Sequence, residues 1–282
     1  MLRLIKNATV AGLMMGAAGV TGCGTSMKLS IPTTFKEQAT MEHVNGARGN
    51  KMQVSGISTS KIKRGIHLSS PAPGRTRNFF LENLFLNQVG GQLSETMQQE
   101  KAKFSYSISD GQTTLNIYAH EKELNRKVEY ESVKPRDFLS GFEILQYHSY
   151  VFSAMITPEN GNGINHWELL LSNVYDRQAL HDNNPFAFAG QEDSGIATDG
   201  SDTIYLKPLS IKKTELSNGK EGKLPFKLFA GYELSTKDGV VAVVDLIDRN
   251  IWFYKELDAS ERLNISAIGT AIFARRVKDA KW

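Results

Sequence analysis

The chain sets apolar and polar residues in alternation over short runs, and it repeatedly breaks those runs with turn signals. Met52–Ser58, Lys61–Ser69, Lys103–Ser109 and Thr113–Glu121 all follow this period of two. Arg126–Val133, Tyr147–Ile156, Asn165–Tyr175, Lys227–Ser235 and Val240–Ile247 repeat it. Alternation places one residue set on each face of a strand, so these runs predict half-buried antiparallel strands. Asp110-Gly111 and Asp238-Gly239 fall between consecutive runs. Gly supplies the positive φ of a tight hairpin turn, so both dipeptides are hairpin signals. Thr157–Ile164 reads as a wider hairpin loop, and Asp248-Arg249 as a tight turn before Asn250–Tyr254.

Two stretches depart from this period. Phe79, Phe80, Leu81, Leu84 and Phe85 approach helical spacing behind Asn78 as a candidate cap, with Gly90-Gly91 as a stop. Leu93–Ala102 is expected to be a second, more polar helix. In Asp258–Arg276, Leu263, Ala267, Ile268, Ala271 and Ile272 recur at helical spacing, and Arg275 and Arg276 suit the negative end of the helix dipole. Gly269 either weakens this helix or permits close packing. The expected fold class is therefore α+β: mainly antiparallel β-sheet hairpins with packed helices, including a C-terminal helix that covers the sheet.

The segment 176–202 reads as an extended loop around Asp182-Asn183-Asn184-Pro185, and Asp202–Lys213 as an edge strand because Pro208 interrupts the donor ladder. The loop is a candidate boundary between two sheet-helix subdomains, with a single body as the alternative.

Composition narrows the function classes. Among 282 residues, 40% are hydrophobic and 22% charged, and the net charge is +3. These values exclude disorder, collagen and coiled coil as the main organisation. They also argue against nucleic acid as a partner, which calls for a concentrated basic surface. The single cysteine, Cys23, permits neither an intrachain disulfide nor a cysteine-based zinc site.

That cysteine stands at the end of a leader-like segment. Arg3 and Lys6 precede an apolar stretch from Ala8 to Val20, too short for an ordinary spanning helix but suited to a secretory signal. Val20-Thr21-Gly22-Cys23 resembles the lipobox of bacterial lipoproteins. The resemblance implies removal of residues 1–22 as a signal peptide and acylation of Cys23, with palmitate among the chains. Gly24 follows the cysteine in place of the Asp associated with inner-membrane retention, which implies the outer membrane. Multiple acyl chains give stable attachment where one chain does not. Residues 23–50 are then expected to be a lipid-anchored linker, and 51–282 a periplasm-facing body.

The residues that could carry chemistry form weak constellations. His166 and Glu168 fall on one face of a strand, and His148 lies on the preceding strand of the same hairpin, the least weak acid-base or metal set. Cross-strand pairing on a solvated face explains the same residues. His120-Glu121 and His181-Asp182 are adjacent pairs, and adjacent strand residues point apart. Glu192, Asp193, Asp199 and Asp202 raise calcium but lack the EF-hand pattern. The glycines around Gly161-Asn162-Gly163 and Gly195–Gly200 read as turn chemistry. Ser140 and Ser194 lack the nucleophile-elbow pattern. Lys61, Lys63, Arg64, Arg75 and Arg77 form a basic concentration suited to an anionic envelope surface or to a charged sheet edge. Tyr232 and Trp252 are either pocket liners or core.

No catalytic, cofactor or metal residue is assigned from sequence, and no cofactor is expected; the one assigned site is lipidation at Cys23. The expected function is a non-enzymatic binding or scaffold lipoprotein with membrane lipid and an envelope protein or polymer as partners. The alternatives are a lipid-anchored hydrolase using His148, His166 and Glu168, and a surface adhesion lipoprotein.

Overall fold

Alternating strands that each bury one face must share a core, and here they do so by closing on themselves. The computed structural model describes residues 28–29, 31–65, 98–130, 142–160, 166–176, 193–215 and 221–275. The elements are α1 (Thr33–Gln38), β1 (Ala39–His43), β2 (Gln53–Val54), β3 (Ile57–Thr59), β4 (Lys63–Arg64), β5 (Gln98–Ser109) and β6 (Thr114–Tyr130). They continue with β7 (Phe142–Pro158), β8 (Trp167–Asp176), β9 (Ser194–Thr198), β10 (Thr203–Glu215), β11 (Glu221–Thr236), β12 (Gly239–Asp245), β13 (Asn250–Tyr254) and α2 (Ala259–Phe273).

The 13 strands form one antiparallel sheet in the order β1-β13-β12-β11-β10-β9-β8-β7-β6-β5-β3-β2, with β4 on β5. The two ends of this path meet. Asn45, just past β1, bridges Gln53 of β2 through N–H···O bonds of 2.9 and 3.0 Å. The result is a near-closed barrel, which removes most of the exposed edge that an open sheet of this width would carry. The fold is α+β, as expected.

The inward-facing residues explain what fills the barrel. One row runs Phe104-Ala119-Ala154-Leu169-Ala197-Ile204 across β5 to β10 in register. The next contains Glu121-Phe152-Leu171-Gly195-Leu206. Ala119, Ala154 and Ala197 with Gly195 leave room for a further element, and α2 occupies it. Every residue from Ile265 to Ile272 is buried; at 3.6 residues per turn that includes every side of the helix. The sequence predicts a helix covering one face of the sheet, whereas the barrel encloses it. Gly269 permits close packing: a Cβ there would lie 2.6 Å from Ile251 Cδ1 and 3.6 Å from Val244 Cγ2.

Helix α2 starts at a capping box. Asp258 accepts from the Glu261 N–H at 2.8 Å, and Glu261 accepts from the Asp258 N–H at 2.9 Å. Outside the barrel, Phe35 of α1 packs on Val243 beside Leu29, Ile31 and Trp252. Among the residues whose side chains are described, Met41 and Tyr205 are the exposed large hydrophobics.

Several expectations are corrected. The expected linker 23–50 is structured from Thr33, because Ala39–His43 pair with β13 and Phe35 finds an apolar floor. Gln98–Ala102, expected in a helix, extend β5 because β6 supplies a paired neighbour. The long loop 176–202 contains β9, which pairs with both β8 and β10, so the sheet crosses the expected subdomain boundary without a break. Strand β10 is an inner strand despite Pro208. Its ladder with β9 ends at Leu206, so the missing proline N–H falls beyond that ladder. The leader, Cys23 and the helix expected over 78–91 lie outside the described residues.

Candidate functional site

Glu121 continues the inward set Leu115, Ile117 and Ala119 on β6, so alternation carries a carboxylate into the barrel. It is fully buried, and the Tyr150 hydroxyl of β7 donates to its Oε2 at 3.1 Å. Arg275, just past the end of α2, reaches the same interior. Its Nη1 donates to Asp193 Oδ2 at 3.1 Å, while its Nε donates to the Ile272 carbonyl at 3.2 Å. Tyr232 of β11 donates to the same Asp193 oxygen at 3.0 Å, and Asn173 of β8 donates to Asp193 Oδ1 at 3.4 Å. The guanidinium lies 5.3, 5.7 and 6.0 Å from the Tyr232, Phe152 and Tyr150 ring centroids. Four strands and the end of the helix thus converge on one polar network inside an apolar barrel.

The chemistry of this network is retention. Asp193 and Arg275 are only 1% and 6% exposed, and a buried ion must be paired and hydrogen-bonded to be tolerated. Burial pushes the Tyr150 and Tyr232 phenols well above their usual range against the opposing pull of Arg275, so both remain donors at neutral pH. Burial pulls Arg275 down, but the surrounding tyrosines and carboxylates outweigh it and hold the group firmly cationic. The arrangement pins the end of α2 to the strand wall.

Two further arginines hold the helix. Arg64 of β4 donates to the Ala274 carbonyl at 2.9 Å, closing the C-terminal end. Arg262 donates to Glu42 at 3.2 Å and Ser55 at 2.8 Å while its guanidinium sits 4.3 Å from the Phe253 ring centroid. Those partners flank the place where β1 and β2 meet, so a side chain from the enclosed helix braces the seam.

The sequence candidates disperse. His166 and Glu168 do meet, at 3.2 Å. His148 does not join them along the ladder: it pairs with Tyr175, whereas Glu168 pairs with Met155. That offset along β7 is roughly 23 Å at strand rise. His120 and Glu121 diverge, with Glu121 inward, as adjacent strand residues must. Asp193 turns into the barrel, whereas Asp199 closes a turn by accepting from the Ser201 and Asp202 N–H groups. Gly195 belongs to β9 and not to a turn; a Cβ there would collide with the Leu170 carbonyl. Gly200 does take the positive φ of a turn, at 96°. Tyr232 is core and part of the network, and Trp252 packs in the outer cluster. Lys61, Lys63 and Arg64 lie at the β4 edge, whereas Arg75, Arg77, Ser140, His181 and Glu192 lie outside the described residues. Among the described residues no group of three or more His, Cys, Asp or Glu is placed to hold a metal ion.

The network's members carried only faint sequence signals: Arg275 as a dipole partner, Asp193 as a loop acid, Glu121 as a neighbour of His120. The usable signal was the charge of Glu121 at an inward position of an alternating run. Comparison with protein-family models, curated proteins and solved structures returns no match.

Proposed function

We propose that this chain is a lipid-anchored envelope protein whose barrel serves as a non-enzymatic binding or scaffold body. The observation that carries the reading is the setting of Cys23: a basic start, an apolar stretch and Val20-Thr21-Gly22-Cys23. In this reading residues 1–22 are removed, Cys23 is acylated, and the anchor holds the body at the outer membrane facing the periplasm. The barrel supports a binding role because its own helix fills its interior, which leaves the outer wall and rims for contact. The hydrolase alternative is the less supported reading, because His148 pairs with Tyr175, well along β7 from the His166–Glu168 pair.

Intact mass measured on envelope extracts tests the anchor. The wild-type chain should lack its leader and carry added acyl mass, whereas Cys23→Ala should show neither change. An unmodified Cys23 in the wild-type extract would overturn the reading. Crosslinking in intact cells, followed by mass spectrometry, tests the scaffold role: a reproducible envelope partner is expected, and its absence counts against a scaffold.

A further inference from the structure

On the outer wall, β8, β9 and β10 present two rows of different chemistry. Leu170, Ile196 and Tyr205 are direct cross-strand neighbours and form an apolar row. Two residues further along, Ser172 pairs with Ser194, and Lys207 stands two positions beyond Tyr205. Strand β9 begins at Ser194, so the polar row stands at its first residue. A cleft of about 400 Å³ opens there, lined by Leu170, Ile196, Tyr205, Pro208, Ser194 and Lys207 among others. That volume lies in the range of small-ligand sites, which combine apolar walls with a few polar groups. Tyr205, 53% exposed, is one of two large hydrophobics left open to solvent among the residues whose side chains are described.

We infer that this cleft binds a small amphiphile with one anionic head, an alkyl or aryl carboxylate. The apolar row spans three strands, about 10 Å at normal interstrand spacing, with Leu170 as its buried floor and Ile196 and Tyr205 as its accessible part. The polar row lies about 7 Å away along the strands, the distance of two residues. It offers two hydroxyls and the only charged group lining the cleft, the Lys207 ammonium. Complementarity therefore selects a negative head over a neutral or positive one. An added peptide strand is the poorer occupant, because Pro208 removes a backbone donor from β10 beside the cleft. Glu233 is the cross-strand partner of Lys207 and places a like charge near the ligand carboxylate.

The test is a titration of the full-length chain, carrying ¹³C-methyl isoleucine, with octanoate and with neutral octanol, following the Ile196 methyl resonance. Octanoate should shift it saturably and bind at least about tenfold more tightly than octanol, with affinity rising up to about fourfold per added methylene until the row is full. Lys207→Gln should reduce octanoate to the level of octanol, and Glu233→Gln should tighten octanoate a few-fold. Lys207 is exposed, so its substitution leaves the fold intact. No saturable shift at Ile196, equal binding of the two probes, or an unchanged octanoate affinity in Lys207→Gln would each overturn the proposal.

Discussion

Replacing Arg275 with Met tests whether the buried network holds the helix in the barrel. The substitution keeps an apolar side chain of similar reach and removes the cation that donates to Asp193 at 3.1 Å. Asp193, 1% exposed, retains Tyr232 and Asn173 as hydrogen-bond donors, but both are neutral. Removing one member of a buried ion pair costs about 3–5 kcal/mol, against about 1 kcal/mol for an ordinary hydrogen bond. The retained donors place Arg275→Met near the lower end, about 3 kcal/mol. That figure is the cost of stranding a charge and not the net worth of the pair, so a double variant must accompany it. Asp193→Asn keeps an acceptor for Tyr232 while removing the charge, and alone should cost about 2–3 kcal/mol by leaving the cation under-compensated. The combined variant strands no charge in this pair, so its cost should fall short of the sum by about 2 kcal/mol. Urea unfolding followed by tryptophan fluorescence measures this as a fall in midpoint with an unchanged slope. A cost below about 1 kcal/mol for Arg275→Met, or additivity within about 0.5 kcal/mol, would refute the reasoning.

Three further outcomes follow from the packing and electrostatics of the barrel. Gly269→Ala gains up to about 1 kcal/mol of helix propensity but drives a methyl to 2.6 Å from Ile251 Cδ1 in a fully buried site. A net loss of about 1 kcal/mol is expected, partly recovered by adding Ile251→Val; a stabilised single variant in thermal melts would contradict the packing. Burial raises the Asp245 carboxyl above its ordinary value, opposed by N–H donation from Asp248 and Ile247 and aided by the nearby Asp248 charge. A raised folded-state pKa adds stability that is full below the unfolded value and lost as pH rises through the folded one. Asp245→Asn should therefore flatten the Tm-against-pH curve across that window, and an unchanged curve counts against the assignment. Asp258→Ala removes the capping box of α2 and should cost about 1 kcal/mol, lowering Tm by roughly 2–4 °C.

Much of the fold was legible because strand alternation and turn chemistry act over a few residues. The Asp110-Gly111 hairpin formed as read, with Gly111 at φ 94° and Asp110 accepting from the Gln112 and Thr113 N–H groups. The C-terminal helix formed with the expected apolar positions buried. Gln98–Ala102, which is polar, and β9, which is short and contains Gly195, were misread because such sequences become strands only when neighbours supply hydrogen bonds. The candidate site was almost wholly illegible: Arg275 and Asp193 are 82 residues apart in sequence.

The sequence by itself determined that this chain would build antiparallel hairpins and end in an apolar helix, because side-chain period and turn geometry are local properties. The proposal of a lipid anchor likewise rests on local sequence, the residues leading to Cys23. Only the tertiary structure decided that the sheet closes through Asn45 and Gln53, that the helix lies inside it, and that Arg275 meets Asp193 there. The physical reason is that closure and burial depend on summed twist, register and interior volume. Alanines on three different strands together make room for a helix that no one of those strands could specify.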